Sequence, residues 1–491
     1  MSGKARERAS VVAVMAAMAL VVLDAGLVNV ALPTMAASLR VAPAQVMLAV
    51  SAYQAALVMG LLPSAHAAEK LGYRRLFVAG LGLFSAASIL CGFASSLALL
   101  LVARVLQGLG GAAVMALGIA LLRFALGAER LGRAIGWNAL NVALCSAAGP
   151  IAGALILTVA PWPWLFFAKL PVAAVALAAC LGLPEVPPSR RTLDHGGIAL
   201  HISVAALFLV AAGTAATRAE WAVPAGCGAV ALAWVAVRWA RSREAPAWPV
   251  DLLGVRAFRV SILASVCCFI AQSLGILALP FYLQLGLGYG PVAAGIVMTC
   301  WPLTVAMTSS IAGRLAERFG SAPLCVAGGA MLGLGLLVSS IAAVRESIGP
   351  LAIGATLGGF GFGLFQVPNN RILFLSAPSG RSAAAGGMQG SARLVGQTIG
   401  ALAMGLLLAG TAAATAPRLA LAIGAAFAAA ASLISAVEVP ALRDCAVRFG
   451  YRAPAGRDLA RHRRRSAEPI RPGPRRDEVR GGHADASWDG L

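Results

Sequence analysis

Charge is scarce in this sequence. Of its 491 residues 12% are charged and 59% hydrophobic, and the mean hydropathy is +0.83. Soluble domains run at about 25% charged and about 45–50% apolar. A soluble protein of this length would divide into domains with polar surfaces, and too few polar residues are present to cover them. Lysine is nearly missing, with three residues against 36 arginines. The nine cysteines show no CxxC spacing, and all but Cys445 lie in apolar stretches, so they read as small core residues rather than disulfides or metal ligands. No metal spacing and no Walker motif is present. These absences exclude a soluble enzyme, a secreted disulfide scaffold and a disordered chain. What remains is a polytopic membrane protein.

A span needs about 20 mostly apolar residues. Fourteen windows qualify, at about 11–32, 46–65, 76–94, 97–121, 134–159, 165–183, 197–216, 222–239, 260–283, 292–311, 322–342, 351–374, 388–409 and 419–439. The 55 glycines suit helices that pack through small residues. The first window carries Asp24 and Asn29 and no cleavage pattern follows it, so it is read as a retained span, not a signal peptide. With the N-terminus inside, the inner segments before the tail hold twenty Lys and Arg; the outer loops hold four, Arg40, Arg218, Arg345 and Arg418. The positive-inside rule therefore places both termini in the cytoplasm of a cell membrane. The net charge of +20 is mostly topology, and no nucleic-acid partner is expected. The expected domains are a cytoplasmic N-terminus (1–10), a six-helix bundle (11–183), an inserted helix pair with its loops (184–259), a second six-helix bundle (260–439) and a basic, disordered tail (440–491). Membrane lipids are natural partners of that tail.

Two short loops repeat each other. Ala65-His66-Ala67-Ala68-Glu69-Lys70-Leu71-Gly72-Tyr73-Arg74-Arg75 follows span 2, and Gly313-Arg314-Leu315-Ala316-Glu317-Arg318-Phe319-Gly320 follows span 10. Both place an acid, a base, one spacer and a glycine at the inner surface. Parallel repeats of this kind put a substrate site near the midplane between two halves that rock against each other.

Four stretches then carry a family resemblance. They are Leu23-Asp24-Ala25-Gly26-Leu27-Val28-Asn29-Val30-Ala31-Leu32-Pro33 in span 1 and Arg104-Val105-Leu106-Gln107-Gly108-Leu109-Gly110-Gly111 in span 4. Span 5 adds Gly136 with Gly149-Pro150-Ile151-Ala152-Gly153, and the fourth runs from Pro368-Asn369-Asn370 to Ala392-Arg393-Leu394-Val395-Gly396-Gln397. Together they resemble the fourteen-helix drug/proton antiporters of the major facilitator superfamily, the QacA/EmrB type. The resemblance implies an all-α integral membrane fold of two six-helix bundles plus two extra helices. It also implies alternating access, no cofactor beyond the proton gradient, and a monomer. Residues expected to govern switching are Glu69, Lys70, Gly72, Arg74, Gly149, Pro150, Gly153, Gly313, Glu317, Arg318, Gly320 and Arg393. The chain departs from the pattern at Gly26, Ala65, Glu69, Cys145 and Ala154. Lys169 replaces a common Asn, about four residues inside the outer end of span 6, where its side chain can snorkel outward.

Ionisable groups at mid-membrane cost at least about 2.5–3.5 kcal/mol and usually face a partner or a cavity. Asp24 is the one acid buried in a span, roughly 13 Å below the outer end, and Arg104 lies roughly 10 Å below the same surface. Two readings stand: a structural ion pair, or a proton carrier tuned by the nearby base. The second is preferred. The resemblance puts spans 1, 4, 9 and 12 around the cavity, so Asn29, Gln107, Gln272, Tyr282, Gln284, Phe362, Phe365, Gln366 and Asn370 are candidate lining groups, with Trp301 nearby. Amides that donate and accept, beside aromatic surface, suit a small amphiphilic organic compound. The expected function is proton-coupled export of a drug, antibiotic or toxic metabolite. The alternative is an exporter of an amino acid, lipid or siderophore, or a proton symporter. An integral-membrane enzyme would need a constellation of His, Cys, Ser or acids at membrane depth, and the sequence offers none.

Overall fold

A computed structural model describes residues 3–186, 195–214, 219–241, 250–342, 348–377, 382–412 and 415–437. The predicted tail and the charged positions Arg190, Arg191, Arg218, Arg243, Arg345 and Arg381 lie outside the described residues. The first bundle runs through Gly3–Leu39 (span 1), Pro43–Leu71 (span 2), Tyr73–Gly92 (span 3), Leu97–Leu126 (span 4), Ala128–Val159 (span 5) and a divided span 6. Spans 7 and 8 are His195–Thr214 and Ala219–Arg241. The second bundle comprises Arg256–Phe281 (span 9, continued by a π turn to Gly286), Pro291–Phe319 (span 10), Ser321–Ala342 (span 11), Ile348–Ser376 (span 12), Ser382–Gly410 (span 13) and Ala416–Ala436 (span 14). Twelve helices among the described residues are long and apolar enough to cross a membrane. Of the inserted pair, Pro224–Trp239 is a shorter apolar helix. Several helices outrun their apolar windows. Span 1 continues through Lys4, Arg6 and Glu7, good helix formers that extend the helix beyond its hydrophobic stretch.

The internal repeat is visible in the backbone. Spans 2 and 10 each open with a proline in the first turn, Pro43 and Pro291, where the missing N–H costs nothing. Each ends on a glycine with positive φ, Gly72 at 91° and Gly320 at 85°. That conformation is open to glycine at no steric cost and turns the chain directly into the next span.

Span 6 is broken. Its first piece is Trp164–Phe167 and its second Leu170–Ala179. Pro171 offers no N–H to the carbonyl of Phe167 and its ring crowds that carbonyl, so the helix opens at Ala168-Lys169.

The two bundles meet through spans 2 and 13 and through spans 5 and 10. Towards the Arg-poor face the contact is continuous. Gln284 donates to the Val30 carbonyl at 2.8 Å, and Thr299 donates to the Ala147 carbonyl at 3.2 Å. Gly295 lies against Pro150 and Ala154, and Gly405 against Met47. Apolar clusters at this end combine residues of both halves, for example Val30 and Ala154 with Tyr282, Leu283 and Met298. Towards the Arg-rich face the clusters belong to one half or the other, apart from Leu394, which enters the first bundle's core. Spans 7 and 8 pack on each other, and span 7 fastens to span 2 where the His201 ring nitrogen Nε2 lies 2.7 Å from the Val58 carbonyl.

Candidate functional site

The polar core of the first bundle is built from five spans. Asp24 of span 1 is fully buried, and Arg104 and Gln107 of span 4 are 1% and 0% exposed. Arg104 Nη1 donates to Asp24 Oδ2 at 2.5 Å and to Gln107 Oε1 at 2.6 Å, while its Nε donates to the Ala49 carbonyl at 3.2 Å. The Gln107 amide donates to Asp24 Oδ1 at 3.0 Å and to Ser88 Oγ of span 3 at 2.8 Å. Lys169, from the break in span 6, also donates to Asp24 Oδ1. Both carboxylate oxygens are thus bonded, one to a guanidinium and the other to an ammonium and an amide. The guanidinium lies over the Tyr53 ring at 4.1 Å, and the ammonium lies 4.7 Å from the Phe166 ring centre. One carboxylate faces two cations, so the cluster carries one net positive charge away from water. Buried charge of this kind is stable only when well paired and hydrogen-bonded.

Lys169 corrects the sequence expectation. It does not snorkel outward but is 4% exposed and turned inward. The helix break at Pro171 frees its backbone to turn, and the Asp24 carboxylate offers a charged acceptor that the membrane interface would not improve on. Gln107 also belongs to this cluster rather than to an open cavity wall.

The other expected lining residues divide into two groups. Trp301, Phe362 and Phe365 are packed in an apolar cluster to which both bundles contribute, and Tyr282 in the smaller cluster with Val30 and Ala154. The indole of Trp301 fits there because Gly275 and Gly358 leave it room, and Phe362 packs edge-on against Phe269. Gln284 is spent on the contact to Val30. Asn29, Gln272, Gln366 and Asn370 are partly accessible, and Gln272 Oε1 and Asn370 Oδ1 are buried without a hydrogen-bond partner. Asn369, beside Asn370, instead donates to Ser265 Oγ at 2.7 Å. Sequence reasoning passed over Tyr53 and Gln54, whose Oη and Oε1 are likewise buried and unpartnered. Two adjacent polar side chains in the middle of an apolar run were the available signal.

The switching candidates fall at two places. Gly149, Pro150 and Gly153 form the contact between spans 5 and 1: a Cβ on Gly149 would lie 3.0 Å from the Gly26 Cα, and one on Gly153 2.8 Å from Val30 Cγ1. Gly26, where the resembled pattern has Thr, is therefore matched to its neighbour. At the loops, Arg74 pairs with Glu185 at 2.8 Å, tying the span 2–3 turn to the end of span 6. Glu69 is half-buried and Lys70 exposed, and neither forms an ion pair among the described residues. Glu317 and Arg318 are exposed, Arg318 lying over the Phe319 ring, and Gly313 has open space around it. Arg393 stands eleven residues into span 13, roughly 17 Å from its start at Ser382.

Comparison with known proteins agrees with this architecture. The Major Facilitator Superfamily profile matches residues 14–275 and again 261–466. The chain is 38% identical over 411 residues to the uncharacterized transporter YebQ of Escherichia coli, covering 81% of this chain and 88% of that protein. It is 30% identical to the tetracenomycin C resistance and export protein of Streptomyces glaucescens, covering 82% and 76%. It is 28% identical to the riboflavin transporter RibZ of Clostridioides difficile, covering 72% and 78%. Among solved structures, the POT family transporter PepTSo superposes with a TM-score of 0.67 at 15% identity, covering 88% of this chain and 98% of that one, which speaks to the fold alone. The chain belongs to the Major Facilitator Superfamily and is a multi-pass membrane transporter of small substrates, not an enzyme.

Proposed function

We propose that this transporter exports a small amphiphilic organic compound across the cytoplasmic membrane in exchange for protons, with Asp24 as the coupling group. The observation that carries the reading is the placement of Asp24. It is a fully buried acid held by donors from spans 4 and 6, on a helix that six residues further on accepts the inter-bundle hydrogen bond from Gln284. Protonating Asp24 removes the charge that holds Arg104 and Lys169, which loosens span 1 where it grips both span 5 and the second bundle. Rocking of the bundles then becomes sensitive to one proton. With the Arg-rich loops in the cytoplasm, the closed Arg-poor side leaves the chain ready to load substrate from within, as an exporter must. The relative named for tetracenomycin C resistance and export supports this direction.

The relative named as a riboflavin transporter favours a second reading, transport of a metabolite. Everted membrane vesicles separate the two. Export predicts that lipophilic compounds accumulate inside vesicles whose lumen is acidified by respiration, and that collapse of the proton gradient releases them. Uptake of a metabolite by intact cells, with no accumulation in everted vesicles, would overturn the export reading.

A further inference from the structure

One more cation stands half-buried in the seam between the bundles. Span 13 lies along span 2, with Gly390 at Leu61 and Gly405 at Met47. Leu394 enters the cluster that contains Tyr53, Leu57 and Val58. Its neighbour Arg393 has a buried Nε without a hydrogen-bond partner. No carboxylate lies within ion-pair distance of Arg393 among the described residues. The Tyr53 hydroxyl, in the cluster that Leu394 enters, is itself buried and unpartnered. Gln54 Oε1 on span 2 and Gln272 Oε1 on span 9 share that condition, both near the middle of their helices.

Buried polar groups are normally satisfied, and a charged donor left without an acceptor is the costliest exception. Among the described residues no acceptor meets Arg393 Nε. Asp24 cannot serve, because Arg104, Gln107 and Lys169 already occupy both of its oxygens. A cationic occupant would meet Arg393 with the net positive Asp24 cluster behind it. A carboxylate would accept from the guanidinium in its preferred fork geometry, while the Tyr53 hydroxyl offers a further donor.

We propose that the transported compound is an amphiphilic organic acid and that Arg393 binds its carboxylate. This rests on the transport reading above and adds the charge of the substrate to it. The test uses the purified full-length protein in detergent and three probes on one aromatic body: 9-anthracenecarboxylate, the neutral 9-anthracenemethanol and the cationic 9-(aminomethyl)anthracene. Energy transfer from the protein's tryptophans reads binding. The wild type should bind the carboxylate at least about tenfold more tightly than the alcohol, as a charged hydrogen bond predicts, and the amine most weakly. Arg393→Gln should lower carboxylate affinity to that of the alcohol and leave alcohol affinity unchanged, whereas Arg393→Lys should keep most of the preference. Equal or tighter binding of the amine, failure of the wild type to bind any probe, or a carboxylate preference that survives Arg393→Gln would overturn the assignment. The wild-type order decides even where a variant does not fold. No gradient is present in this experiment, so its failure leaves proton-coupled export standing, and failure of coupling leaves this order intact.

Discussion

Replacing Asp24 by Asn keeps the shape of the side chain and removes the charge on which two buried cations depend. Arg104 and Lys169 would then share a site with no counter-charge, their exposures being 1% and 4%. Breaking a buried pair in this way costs about 3–5 kcal/mol. A contact pair at an effective dielectric near 20 is worth about 4 kcal/mol by Coulomb's law, so the two routes agree. The expected outcome is a protein that unfolds markedly earlier in scanning fluorimetry. The asymmetry of the cluster adds a sharper expectation. Lys169→Met alone leaves a neutral Asp24–Arg104 pair, because one of the two cations is surplus to the carboxylate. It should cost less than about 1 kcal/mol, since an apolar chain of similar volume replaces a buried charge. In the Asp24→Asn background the same Lys169→Met change should restore about half of the lost stability, because one uncompensated cation remains instead of two. If Asp24→Asn melts with the wild type, or if Lys169→Met alone destabilises as much as Asp24→Asn, the charge accounting is wrong.

Glu69→Gln should slow turnover in a vesicle transport assay while leaving equilibrium ligand affinity unchanged, because Glu69 lies in the last turn of span 2, away from the buried cluster; lost binding with normal turnover would contradict its placement. Gly149→Val should abolish transport and lower membrane abundance, since even a Cβ there would sit 3.0 Å from the Gly26 backbone; immunoblotting together with uptake checks both. Separating Arg74 from Glu185 by Arg74→Ala should change melting by less than about 1 kcal/mol, as expected for an ion pair whose acid is 81% exposed.

The membrane class, the internal repeat and the depth match of Asp24 with Arg104 were legible because each is written in local pattern. Apolar windows mark spans, the Glu69 and Glu317 loops share one residue order, and residue counting along a helix converts directly to depth. Lys169 was misread because its direction depends on a helix break. Pro171 signals the break, but which way the freed side chain turns is decided by a carboxylate 145 residues away in the chain. The aromatic candidates show the same limit. Residues on a cavity-lining helix alternate between cavity, core and lipid faces, and nothing in the run around Phe362 tells which neighbour covers it. Trp301 in particular is buried by glycines of spans 9 and 12, a complementarity visible only once the helices are set side by side. Arg393 lies deeper in its helix than in its apolar window because span 13 begins at Ser382, in a run of alanines and glycines ahead of that window.

Proton coupling through Asp24 is tested most directly by separating passive exchange from driven accumulation in proteoliposomes. The protein carrying both Asp24→Asn and Lys169→Met, chosen to limit the stability loss, is loaded with substrate and assayed first for counterflow with no gradient, then for accumulation against an imposed pH gradient. The account predicts that counterflow persists while gradient-driven accumulation, present in the wild type and in Lys169→Met, disappears. Accumulation by the double variant at the wild-type rate would show that the proton travels by another route.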